Sequence, residues 1–256
     1  MVRSVVGDTL SLYRRLAVPL GVATALVFAP LAVALLALEL AVGQSTRSQQ
    51  GLAIIDAVGS VLLFAPLAAI IAIRCAIALD EGRAAEPRRE AAFALQLLPR
   101  YVLTQLLALL VIAGLPLVLI AAGVATGSPG LTAVGAGTLL ASGLINGVRL
   151  GLCTVLVVTG EGAYAQALRA SARLVRGRFW SALGTLLVIT LIALLIALLL
   201  SSVALAAPAG AGRGVIEAVV GIVVNAITVP FAAVGLYRLR GALRDREGEA
   251  GRVSGA

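Results

Sequence analysis

Residues 159–180 read TGEGAYAQALRASARLVRGRFW, and they stand between two apolar runs, 131–158 and 179–205, each long enough to cross a bilayer. On a helix, Arg169, Arg173 and Arg176 fall at i, i+4 and i+7 on one face, while Leu168, Ala172 and Val175 repeat that spacing on another. Such a segment is expected to lie flat at a membrane surface. Glu161 is expected in its first turn, where a carboxylate complements the positive end of the helix dipole. Gly177 then loosens the backbone before Arg178, Phe179 and Trp180, a cationic and aromatic anchor suited to a headgroup layer. The alternation of long apolar runs with short basic segments decides the fold class.

Composition agrees. The chain of 256 residues is 61% hydrophobic and 12% charged, with a mean hydropathy of +1.08, against soluble averages of about 45 to 50% apolar and about 25% charged. A polytopic membrane protein is expected. The net charge of +8 comes entirely from arginine, because all 20 basic residues are Arg. Basic residues gathered on one membrane face answer to topology and anionic headgroups, and no soluble domain is present to read a nucleic-acid groove, so nucleic acid is not an expected partner. Histidine is absent, which removes the commonest acid/base group and metal ligand together. Cys75 and Cys153, the two cysteines, lie toward cytoplasmic ends of apolar runs, so neither a disulfide nor a zinc site is expected, and no cofactor is. The first apolar run exceeds a signal-peptide core of about 7 to 15 residues and is expected to remain as a span.

Six runs have spanning length: 17–42, 52–79, 101–124, 131–158, 179–205 and 215–236. Arginines crowd the N-terminus, the loops after the second and fourth runs and the C-terminal tail, whereas the opposite face carries only Arg47 and Arg213. The positive-inside rule therefore predicts both termini at the cytoplasmic face of the cell's inner membrane. Segments 2–15 and 86–100 resemble 159–180 in outline, and basic corners at Arg15, Arg100 and Arg178 recur about 80 residues apart. The expected fold is all-α, six transmembrane helices in three hairpins, each preceded by a cytoplasmic-face amphipathic helix. It forms a single membrane domain over 1–256, readable as three repeats (1–82, 83–162, 163–240) with a short polar tail at 241–256. The alternative is that any six-span protein has basic corners on its inner loops.

Glu161-Gly162, Ala167-Leu168-Arg169-Ala170-Ser171, Leu174 to Trp180 and the closing Leu236-Tyr237-Arg238-Leu239-Arg240 resemble the bacterial six-span family known as the glycerophosphoryl diester phosphodiesterase membrane domain. The resemblance covers nearly the whole chain and is sharpest over about twenty residues. It implies a fold more than a reaction, since the family's membrane module has no settled activity of its own. A fused catalytic barrel would need about 250 further residues, and no phosphodiesterase site carries over.

Polar residues near the spans are few, and each is a candidate because burial in lipid is costly. Arg149, with Asn146 one turn before it, and Arg74 in the second run form a candidate intramembrane polar site in which two arginines from neighbouring hairpins grip one phosphate. The competing reading is that both arginines snorkel to the interface. Asn225 is expected to bond a neighbouring helix. Glu39, Asp56 and Glu217, near the outer ends of spans, are candidates for a small acidic outer vestibule for cations or for pairing with Arg47 and Arg213, the competing reading being ordinary interfacial charges. Gly143 and Gly147 make a GxxxG, expected to pack the fourth span centrally or at a subunit contact. Nucleophile, P-loop and metalloprotease motifs are missing.

These features point to a membrane module without catalysis of its own, holding anionic phospholipid through Arg169, Arg173, Arg176, Arg178 and Trp180, and scaffolding a membrane partner or a second copy. A transporter or channel for a small amphiphile or lipid, with Arg74, Asn146 and Arg149 lining the route, is the alternative, and an enzyme acting on lipid phosphodiesters comes third.

Overall fold

The computed structural model describes residues 2–42, 46–206 and 213–253, with side chains described over 2–38, 50–206 and 213–247. Among the described residues the regular structure is all helical, without strands. In chain order the helices are α1 (Val2–Val42), α2 (Thr46–Gly59), α3 (Ala65–Asp80), α4 (Pro87–Ala125), α5 (Pro129–Leu150), α6 (Cys153–Val158), α7 (Tyr164–Val175), α8 (Phe179–Leu205) and α9 (Arg213–Val253). Six helical stretches are long and apolar enough to cross a membrane: Val2–Leu38, Gln50–Asp80, Pro87–Ala125, Pro129–Val158, Phe179–Leu205 and Arg213–Glu247.

The expected surface segments differ from one another. Segments 2–15 and 86–100 continue without a break into α1 and α4, whereas 164–175 is a separate helix. The physical difference is Gly177, whose φ of +78° only glycine adopts freely, following an extended Arg176. At the second corner Pro99 sits inside α4 and does not end it.

A single helix, α1, shows how the chain divides core from surroundings. Val5, Leu12, Leu16, Leu20 and Phe28 are buried with Thr9 and Thr24 at spacings of three and four, while Val18, Val22, Leu26 and Val33 are exposed. Both threonines carry hydroxyls into this stripe, and Thr9 donates to the Val5 carbonyl of its own helix at 2.7 Å. On α8, Leu187, Leu191, Leu194, Leu195, Leu198 and Leu199 are likewise exposed. Apolar surface of this extent is stable against hydrocarbon rather than water.

The chain forms two compact units that cut across the proposed repeats, passing through α4, α8 and α9 in mid-helix. The unit formed by residues 3–98 and 187–235 packs α1 on α9 through Tyr13, whose ring meets Phe231 edge-on at 5.5 Å and whose hydroxyl donates to the Ile227 carbonyl. Between α2 and α3 the helix widens at Ser60–Phe64, where the Ala65 N–H donates to the Ser60 carbonyl five residues back. Pro66 explains the widening: it brings no N–H and crowds the preceding turn, so the register shifts. The other unit, residues 1–2, 99–186 and 236–256, holds the hairpin of α4 and α5. There the backbones approach closely at Gly123 against Thr132 and Gly135 against Ile120, and a methyl on Gly135 would lie 2.7 Å from Ile120 Cγ1. Gly143 and Gly147, the expected packing pair, have nothing within 4 Å of such a methyl. Close helix approach is therefore not made by the GxxxG in this chain. The close backbone approaches lie near the turn, and Gly143 and Gly147 face open space.

Candidate functional site

The residues of helix α7 divide by burial. Ala167, Leu168, Leu174 and Val175 are buried, and Arg169, Arg173 and Arg176 are exposed. Its start is set by the turn before it rather than by a side-chain cap. Gly160 and Gly162 take φ of +76° and +136°, Ala163 is extended, and the Tyr164 N–H donates to Thr104 Oγ1 at 2.9 Å.

Ser171 is the residue that sequence reasoning missed. Fully buried in α7, its hydroxyl donates to the Arg149 carbonyl at 2.7 Å and accepts from the Leu152 N–H at 3.3 Å. Both partners belong to the break between α5 and α6, where helix ends leave carbonyl and amide groups without intrahelical partners. One serine thus satisfies the broken helix and fastens Arg149 beside α7. The signal available in the sequence was a small polar residue on the apolar side of a basic helix.

Arg149, Arg169, Arg173 and Arg176 consequently line one recess of about 590 Å³, with Ala172, Val175, Gly177 and Phe179 completing its wall. No carboxylate lines it. Among the described residues none of the four guanidiniums makes an ion pair or hydrogen bond, in contrast to Arg74, Arg83, Arg178, Arg213, Arg240 and Arg244. The apolar part of the wall, Val175 and Phe179, lies at the end of α7 and the beginning of α8. Four donors of planar guanidinium geometry around a concavity can hold an oxyanion from several sides.

The other expected site residues fall in different settings. Arg178 donates from its two terminal nitrogens to the Leu243 and Arg246 carbonyls, both at 2.7 Å. Trp180 is 79% exposed and meets Phe179 edge-on. Asn146 donates to Ser142 Oγ at 3.0 Å, and Ser142 donates to the Ile112 carbonyl of α4 at 2.6 Å, so Asn146 braces the α4–α5 hairpin. Arg74 donates from Nε to Glu90 at 2.8 Å, with its guanidinium 4.3 Å from the Phe93 ring centroid. That glutamate is almost wholly buried, so Arg74 is the counter-charge that makes its burial tolerable.

Glu161 is not at the dipole of α7. Its carboxylate ion-pairs with Arg240 and with Arg244, the latter at 2.8 Å, and accepts from the Thr159 hydroxyl at 3.0 Å. Together with Arg178 it ties α9 to both ends of the 159–178 segment. A second concavity of about 310 Å³ is lined by α1, α2 and α9, with Asp56, Ser60, Glu217 and Asn225 as its polar groups. Glu217 pairs with Arg213 at 2.8 Å, Ser60 donates to Asp56 at 3.1 Å, and Asn225 donates to the Gly221 carbonyl of its own helix. The side chains of Glu39 and Arg47, expected nearby, lie outside the described residues. Compared with protein-family models, curated proteins and solved structures, the chain finds no match in any of the three.

Proposed function

We propose that the chain is a membrane module, without catalysis of its own, that binds an anionic headgroup in the recess of Arg149, Arg169, Arg173 and Arg176 and so holds lipid at the cytoplasmic leaflet. One observation carries this reading: four exposed arginines line one concavity that no carboxylate lines. Isolated topology determinants have no need to converge. These arginines do, because Ser171 pins the α5 end against α7. Arg178 and Trp180 serve beside the recess, the first by bonding α9 and the second as an interfacial aromatic. The orientation rests on the distribution of arginines along the chain, and the family resemblance supports the six-span module without adding a reaction.

Native mass spectrometry of the purified protein tests the proposal. Anionic phospholipid is expected to remain bound to the wild-type chain and to be lost from the Arg169→Ala/Arg173→Ala/Arg176→Ala variant. Equal retention by both would overturn it. The transport reading draws on the concavity with Asp56, Ser60, Glu217 and Asn225, whose polar groups sit among Phe28, Leu31 and Leu35. It requires flux of an amphiphile across proteoliposomes that declines in an Asp56→Asn/Glu217→Gln variant, and unchanged flux would remove it.

A further inference from the structure

We infer that the group taken by the arginine recess is a phosphomonoester or a diphosphate, carrying about two or more negative charges, in preference to the single charge of a phosphodiester headgroup. This rests on the anion-binding reading and narrows its ligand.

Charge is the first ground. Five arginines elsewhere are neutralised by carboxylates: Arg74 by Glu90, Arg83 by Glu81, Arg213 by Glu217, and Arg240 and Arg244 by Glu161. At the recess four arginines line one wall with no carboxylate among the lining residues. Arg173 stands in the last turn of α7, whose C-terminus offsets about half a charge, leaving between about +3 and +4. A phosphodiester leaves most of that uncompensated. A phosphoryl dianion or diphosphate removes most or all of it.

Oxygen count is the second ground. A phosphodiester offers two unesterified oxygens to bidentate donors, a terminal phosphoryl three and a diphosphate more, so the latter groups engage more of the four guanidiniums of α5 and α7 at once. Size agrees, since about 590 Å³ exceeds a bare phosphate and falls within the range of small-ligand sites. Phe179, which is only partly buried, gives the wall an apolar side along which an attached hydrocarbon can leave.

The test uses the purified full-length protein and native mass spectrometry, with phosphatidic acid and phosphatidylglycerol of identical acyl chains offered in equal amounts. At pH 8 retention is expected to favour the phosphomonoester by about tenfold, and at pH 5, below its second ionisation near about 6, the preference is expected to shrink to about twofold or less. An Arg149→Gln/Arg173→Gln variant is expected to lose the preference, whereas Arg89→Gln, at an exposed arginine outside the recess, is expected to keep it. Soluble pyrophosphate and glycerol phosphate form a second arm. Displacement of the bound lipid by them supports the inference with the phosphoryl group alone as determinant, and failure to displace supports it with a lipid as the source. Equal retention of the two lipids, both lost from the Arg149→Gln/Arg173→Gln variant, overturns this inference and leaves the anion-binding proposal standing. Retention of neither, or retention indifferent to those arginines, overturns both.

Discussion

Ser171 does more for the recess than any arginine in it, because it determines where Arg149 sits. Its hydroxyl satisfies a carbonyl and an amide at a helix break, in a position from which water is excluded. Ser171→Ala leaves both backbone groups without that partner and is expected to cost about 1 to 3 kcal/mol of stability. In thermal unfolding it should lower the midpoint, and the folded fraction should retain less anionic lipid than wild type while Arg149 itself is unchanged. A stable variant with undiminished lipid retention would show that Arg149 does not depend on this bond. Arg149 and Arg178 illustrate how one residue type divides its duties. The first is free to meet a ligand, and the second is occupied by two backbone carbonyls.

Among the elements, the α4–α5 hairpin and the end of α9 lead to distinct predictions. At Gly135 an added methyl would meet both the side chain and the backbone nitrogen of Ile120, at 2.7 and 2.8 Å, so Gly135→Ala must push the helices apart. A loss of about 1 to 3 kcal/mol is expected, in keeping with overpacked cores. Gly143→Ala meets open space and is expected to leave stability within about 1 kcal/mol of wild type, helped by alanine's better helix propensity. Comparing the two variants in one unfolding series checks both statements. If Gly143→Ala instead changed the oligomeric state, the glycine pair would belong to a contact between copies.

The clamp on α9 consists of Glu161 holding Arg240 and Arg244, and Arg178 holding two carbonyls. Glu161→Gln removes the charge that Arg240 and Arg244 share, and Arg178→Gln removes the guanidinium fork. Each is expected to raise amide exchange over residues 236–247 by about tenfold, corresponding to about 1.4 kcal/mol of local opening. Because both grip the same helix, the double variant should fall short of additivity. Strict additivity would mean that the two contacts act independently.

At the scale of the molecule, the distribution of arginines predicts a topology that single-cysteine labelling can read. With Cys75 and Cys153 replaced by Ser, a cysteine at Ala84 is expected to react from the cytoplasmic side of sealed vesicles and one at Ser128 from the opposite side. Labelling of both from one side would contradict a hairpin over the α4 span. Much of the fold was legible in advance for a plain reason. Six spans follow from run length against bilayer thickness, a constraint that acts on each segment separately and needs no knowledge of its neighbours. The two-faced character of α7 followed in the same way from residue spacing. The continuity of α1 and α4 through their basic corners was not legible, since proline or arginine at a corner permits a bend without requiring one. Nor was the partner of Glu161, which sequence proximity assigned to α7 and the fold gave to α9. Sequence by itself determined that the chain is helical, how many segments suit hydrocarbon and which stretch carries cations, because hydrophobicity and helical period are local properties. Only the tertiary structure decided which arginines are already engaged and which four face one recess, because pairing depends on what distant helices bring within about 3 Å.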